Sequence, residues 1–306
     1  VAHAIRKKGR LLLLGMGASH WTNRMVLKAY RDLGIDATAE VLSDHMRQPL
    51  PEGERVTLLT SQSGNSGEIK AYLQKRPDSN DHFALTLNRR SFLARSVPSL
   101  YGSGPPEEAY AATRSILITL ALHGAILECL GADISAFTAV LEAGGSGLSE
   151  QTGSSLAPLT DCPAVFLSGR GESLAVLEAA SLTFMELART PALALELGQL
   201  IHGPLECLDP QTGLILVRPV GDDADGITHI AEKAVTFGLK PHLFDLGRHP
   251  AVEGAVHHSL PASTGLEASA RLLPAVQWLL IRAAAARVED MGTPLRSTKV
   301  TDGEAA

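Results

Sequence analysis

Twice in this chain an uninterrupted apolar run meets a glycine turn and then a helical pattern. Leu11-Leu12-Leu13-Leu14 leads into Gly15-Met16-Gly17 and a helical stretch to about Leu33. Ala164-Val165-Phe166-Leu167 leads into Ser168-Gly169-Arg170-Gly171 and a helix from Glu172 to Ala188. A strand that is apolar at every position has no side for water, so it must be covered on both faces. Similar runs at Val56 to Ser61, Phe83 to Leu87, Leu214 to Val217 and Pro241 to Phe244 alternate with helical patterns. Those patterns fall at Glu68 to Gln74, Glu107 to Leu130, Ile227 to Phe237 and Leu266 to Val288. Strands separated by helices pair in parallel, because a parallel partner needs a long crossover. The predicted class is α/β, with a duplicated domain whose parallel sheet is flanked by helices in three layers.

Between Glu142 and Ser155 the chain changes character. Ala143-Gly144-Gly145-Ser146-Gly147 and Thr152-Gly153-Ser154-Ser155 are punctuating residues, which break periodic structure. The expected division is 1–150 and 151–306, and 306 residues suffice for two cores. The net charge of −6 comes without basic blocks, which argues against a nucleic-acid partner. Gly, Pro or charge interrupts every apolar run before the ~18 residues of a membrane span. Cys129, Cys162 and Cys207 are far apart and odd in number, so neither a disulfide framework nor a zinc spacing is present. They are expected to be small buried hydrophobes in a reducing compartment, the cytoplasm. No cofactor is expected, and no metal, since no His/Asp/Glu cluster has ligand spacing.

The turn Gly15-Met16-Gly17-Ala18-Ser19-His20 invites a dinucleotide reading but has His20 where the third glycine belongs. Ser19, at the start of the following helix, is expected to cap it or to touch an anion. Thr60-Ser61-Gln62-Ser63-Gly64-Asn65-Ser66-Gly67 is the more specific signal. A helix start has unpaired backbone N–H groups and partial positive charge, so it binds phosphate without a lysine. Ser61, Gln62, Ser63 and Ser66 add oriented donors, and Gly64 lets the backbone approach. The alternative is a serine-rich turn that only caps a helix.

Glu186 and His202 stand about 16 residues apart in the second half. Glu186 suits a solvated i,i+3 ion pair with Arg189. It equally suits proton transfer, because a carboxylate among apolar neighbours is a better base near neutrality. His202, before Gly203-Pro204, reads as a structural turn histidine or as an acid–base group. Lys299 by itself is a solvated tail lysine.

Taken in order, Gly17-Ala18-Ser19, Ser61-Gln62-Ser63-Gly64, Gly169-Arg170-Gly171, Glu186, His202-Gly203-Pro204 and the tail from Pro294 to Thr301 resemble the double sugar-isomerase (SIS) domain family. That family includes the isomerase half of glucosamine-6-phosphate synthase and stand-alone phosphosugar isomerases, deaminases and deglycases. The resemblance covers nearly the whole chain and implies two tandem SIS domains. It implies that Ser61, Gln62, Ser63 and Ser66, with Ser19 nearby, bind a sugar phosphate. Gly17, Ala18, Gly64, Tyr110 and Thr298 would line the sugar. Glu186 would be the base between C1 and C2, His202 the ring-opening group reaching over from the partner of a homodimer, and Lys299 the closing lysine.

Departures stand beside these matches. The stretch Glu107 to Arg114 resembles a family segment that lines the sugar site, but Arg114 replaces a usual lysine. Thr183 and Met185 stand where the family helix often carries lysines, and Ala179 occupies an acidic position next to Glu178. The sequence holds no glutamine-hydrolysing segment and no terminal cysteine nucleophile. The expectation is therefore aldose–ketose isomerisation, with deamination or deglycation as variants, rather than glutamine-dependent synthesis by this chain alone. The competing class is a non-catalytic sugar-phosphate regulator, which needs the serine turn but not the proton-transfer set.

Overall fold

The computed structural model describes residues 1–76, 80–105, 107–144 and 156–299. It divides into two compact units, Val1–Ser135 with Pro294–Ala306, and Ala136–Thr293. The expected boundary at 150/151 lies outside the described residues.

In the first unit β1 (Arg10–Gly15), β2 (Asp36–Val41), β3 (Val56–Thr60), β4 (His82–Thr86) and β5 (Ser99–Tyr101) form a sheet in the order β2-β1-β3-β4-β5. Every pairing is parallel. In the second, β6 (Val165–Gly169), β7 (Ala192–Glu196), β8 (Gly213–Arg218), β9 (His242–Asp245) and β10 (Val256–Ser259) give β7-β6-β8-β9-β10, again all parallel. The two orders are the same, so the duplication expected from the sequence extends to topology. Central strands are dry on both faces: Leu11 to Leu14 are each 2% exposed or less, and β8 is buried along its length.

Helices complete each core. In the first unit Ile69, Tyr72 and Leu73 of the helix Gly67–Gln74 pack with Leu12, Leu14 and Leu59 of the sheet. In the second, Ile227, Ile230, Ala231 and Ala234 of the helix Asp223–Thr236 cover Leu214 and Leu216. On the other face the helix Gly171–Ala188 lies against Gly265–Arg287, and Glu172 accepts from the Gly265 N–H at 3.0 Å. At the far end, Arg287 donates to the carbonyls of Leu159, Thr160 and Cys162.

Two expectations are corrected here. Of the cysteines only Cys162 is buried; Cys129, in the last turn of a helix, and Cys207, at the end of a 3₁₀ turn, are exposed. The helix expected from Glu107 begins at Arg114 and runs to Leu130, because residues 107–113 are held by side-chain bonds described below. Among the described residues, no helix is long and apolar enough to cross a membrane.

The buried imidazoles set an acid limit on stability. Burial pushes His123 down to about 3 and His82 down to about 4, and lowers the stacked pair His242 and His258. These rings stay neutral in the folded chain but take a proton at about 6.5 once unfolded. Their contribution is therefore complete above about pH 6.5 and is lost as pH falls toward their folded values. At pH 5 the fully buried His123 alone costs about 2 kcal/mol by linkage. The urea midpoint should fall steeply between pH 7 and pH 5, before most carboxylates titrate; a flat profile over that window contradicts this burial.

Candidate active site

A sheet of order 2-1-3-4-5 opens a crevice where the order reverses, at the carboxyl ends of its first and third strands. In the first unit that place lies between β1 and β3, where Gly15 pairs in register with Thr60. The turn after β1 and the serine turn after β3 are therefore neighbours by topology.

The serine turn is built around Gly64. Its φ is 62°, and a Cβ there would stand 2.3 Å from Ser91 Oγ, so any side chain would break the close approach. Ser61 Oγ accepts from the Gly64 N–H at 3.1 Å, and Ser63 Oγ accepts from the Asn65 N–H at 3.3 Å. A hydroxyl that accepts from its own turn still has its proton to donate. Ser66 is the N-cap of the helix Gly67–Gln74, and its side chain makes no capping bond. That leaves the first turn of the helix to an external acceptor, as an anion site requires. Glu68 is buried in the same first turn.

Beneath the turn runs a buried polar chain that the sequence reading missed. Thr60 Oγ1 donates to Asn23 Oδ1 at 2.7 Å, His123 Nε2 lies 3.2 Å from the same oxygen, and the Tyr30 hydroxyl lies 3.1 Å from His123 Nδ1. With His123 neutral, Nε2–H donates to Asn23 and Nδ1 accepts from Tyr30. The end of β3 is thereby fixed one residue before Ser61. Asn23 and His123 are 100 residues apart, so no local spacing could have revealed them.

Gly17, Ala18 and Ser19 form the first turn of the helix Gly17–Met25. The N-cap is Met16 in an extended conformation, so Ser19 does not cap the helix; it lies inside the first turn, its N–H bonded to the Met16 carbonyl. Gln62 is held at both ends. Its carbonyl accepts from the Leu87 N–H and Thr86 Oγ1, and its amide donates to Glu107 at 3.1 Å. Tyr110, Thr298 and Lys299 meet in the same unit. Ser297 Oγ donates to the Tyr110 hydroxyl at 2.7 Å, and Lys299 Nζ donates to the carbonyls of Glu107 and Ala109. Thr298 is exposed between them. Arg114 turns its guanidinium to the Pro105 carbonyl.

In the second unit Glu186 lies in the last turn of the helix Gly171–Ala188, partly buried between Phe184 and Leu187 in the core and Met185 at 39% exposure. Arg189 ends that helix with φ 53° and pairs with Asp290 at 2.8 Å. Thr183 folds its hydroxyl back to the Ala179 carbonyl, 3.0 Å away. His202 ends the short helix Leu197–Ile201 and is exposed before Gly203, whose φ is 143°. The corresponding crevice of the second sheet, between β6 and β8, holds no serine turn. Arg170 stands there with Glu196 at 3.2 Å and Asp223 at 3.5 Å. The serine turn therefore stands in one of the two duplicated units. Among the described residues no group of three or more metal-binding side chains is present.

The fold has close counterparts among solved structures. The C-terminal domain of glucosamine-fructose-6-phosphate aminotransferase from Francisella tularensis superposes with a TM-score of 0.84 at 19% identity, over 96% of this chain and 89% of that one. The chain has the tandem SIS fold. Tagatose-6-phosphate ketose/aldose isomerase from Escherichia coli shares the tandem SIS fold with a TM-score of 0.76 at 16% identity, covering 97% of this chain and 89% of that one. Glucosamine-6-phosphate deaminase from Thermotoga maritima follows at 0.67 and 18%, covering 96% and 90%. No protein-family model and no curated protein sequence matches the chain.

Proposed function

We propose that this chain is a phosphosugar enzyme that interconverts aldose and ketose forms, with or without loss of a nitrogen substituent. The observation that carries the reading is the serine turn at the β1/β3 crevice. Its Ser61 and Ser63 hydroxyls keep protons to donate, and its helix start has no side-chain cap. The neighbours' names add an isomerase, a deaminase and an aminotransferase domain of sugar-phosphate metabolism on the same fold.

The roles follow the chemistry. Ser61, Gln62, Ser63 and Ser66 hold the phosphate, with Ser19 beside them, while Gly17, Ala18, Gly64, Tyr110 and Thr298 line the sugar. The Glu186 carboxylate takes the C1 proton of a ketose and returns it to C2 through an enediol or enolamine. His202 assists ring opening, and Lys299 closes over the substrate. The protein works as a two-fold dimer in which His202 serves the partner's sugar.

The phosphate is the handle. Charge-assisted hydrogen bonds are roughly twice as strong as neutral ones, so fructose 6-phosphate should bind about 100-fold or more tighter than fructose. The double variant Ser61→Ala, Ser63→Ala should lose most of that difference while melting near the wild-type temperature. Calorimetry with a panel of hexoses and their 6-phosphates decides. Equal affinity for each sugar and its 6-phosphate would remove the serine turn from the account, and assays for ketose and for ammonia then separate isomerisation from deamination.

A further inference from the structure

We propose that Glu107 is the positioning residue of this site: its carboxylate orients the Gln62 amide in the serine turn, while the loop it pins seats the tail. The claim about the tail stands on contacts within the first unit, and the claim about Gln62 rests on the phosphosugar reading.

Residues 107–113 form no helix or strand, so no backbone ladder fixes their path. Glu107 replaces it. Oε1 accepts from the Thr113 N–H at 2.8 Å and the Thr113 hydroxyl at 2.7 Å, with the Ser115 N–H at 3.4 Å. Oε2 accepts from the Ser115 hydroxyl and, at 3.1 Å, from the Gln62 amide. All five partners are donors, and an ionised carboxylate alone among side chains of this size offers acceptors on both sides. Burial pushes this carboxyl up, but the bonds from Ser115 and Thr113 outweigh it and hold it below the usual carboxylate range. Two of the bonds go to N–H groups at the start of the helix Arg114–Leu130, where a negative charge is favoured.

The backbone of the same residue faces the tail. Its carbonyl, with that of Ala109, receives Lys299 Nζ, and Tyr110 receives the Ser297 hydroxyl. One side chain therefore ties together the serine turn, the helix start and the platform on which Ser297 and Lys299 rest. A Gln62 amide has two N–H donors; with one fixed on Glu107, the other has a defined direction.

Glu107→Gln keeps the shape but sets an amide N–H₂ against groups that also donate. The expected result is paired. Tryptic cleavage after Arg296 and Lys299 should become about 10-fold faster with the rest of the chain still resistant, since few tertiary contacts hold an exposed tail. Fructose 6-phosphate should bind about 10-fold more weakly, the loss of roughly one hydrogen bond to a charged group. Removing the tail from Ser297 onward should weaken the wild type but add little to Glu107→Gln, as sites sharing one contact network are non-additive. If Glu107→Gln does not fold, Ser115→Ala removes one accepted bond and should shift both readouts the same way by a smaller factor. Unchanged tail cleavage and affinity in a folded variant, or cleavage rising evenly along the chain, overturns the proposal. A wild type that binds no hexose phosphate overturns the phosphosugar reading instead, and tail cleavage then decides the role of Glu107 by itself.

Discussion

Glu186→Gln is expected to lower turnover by roughly 10²–10⁴ while substrate binding persists, the usual contribution of a positioned general base. The substitution preserves the size of the side chain on a helix whose neighbouring residues are largely buried, so the fold should survive. It replaces the basic carboxylate with an amide too weakly basic to take a carbon-bound proton. On the proposed reading the phosphate is held by Ser61, Gln62, Ser63 and Ser66, which lie in the first unit, so binding should persist. Turnover and affinity must therefore separate: kcat falls and the calorimetric Kd for the sugar phosphate stays near that of the wild type. Near-normal turnover would move the base elsewhere, with Glu178 on the same helix the next candidate. A variant that does not fold would make Glu186 a structural group.

A second large effect comes from mixing two dead variants. Glu186→Gln and His202→Asn homodimers should each be almost inactive if both groups act in the reaction. If the protein is the proposed two-fold dimer, chains refolded together in equal amounts should form mixed dimers as about half of the population. When His202 serves the partner's sugar, each mixed dimer has one site with both lesions and one with neither. Roughly a quarter of wild-type activity should return. Absence of recovery, with mixed dimers confirmed by mass, would place Glu186 and His202 in one subunit's site or take one of them out of the chemistry.

What was legible in the sequence follows burial. Strands β1, β3, β4, β6, β8 and β9 are the inner strands of their sheets, and each announced itself as an apolar run. The edges, β2, β5, β7 and β10, went unread. Asp36-Ala37-Thr38-Ala39-Glu40-Val41 and Ala192-Leu193-Ala194-Leu195-Glu196 have one side open to solvent or loops, and their burial is partial. A half-covered strand mixes polar and apolar residues and loses the signal of a dry one.

The site divides in the same manner. The serine turn was legible because its donors lie within a few residues of one another. The groups that hold it in shape were not. Asn23, His123 and Glu107 act across 37, 100 and 45 residues of sequence, where composition and spacing give no sign; the family resemblance marks the segment of Glu107 but none of these bonds. The helix start at Arg114 was misjudged for the same reason, since the acceptor for its first N–H groups is Glu107 rather than a neighbouring cap.

The measurement closest to the central claim is the fate of a carbon-bound hydrogen. Hexose 6-phosphates and their 2-amino derivatives would be incubated with the wild type and with Glu186→Gln in deuterated water and followed by proton NMR. Proton transfer between C1 and C2 predicts that the wild type introduces solvent deuterium at C1 of the ketose or C2 of the aldose for at least one of these compounds. Glu186→Gln should bind the same compound and exchange at the uncatalysed rate. Tight binding by the wild type with neither exchange nor interconversion of any of them would contradict the account, and would leave a protein that recognises sugar phosphates without transforming them.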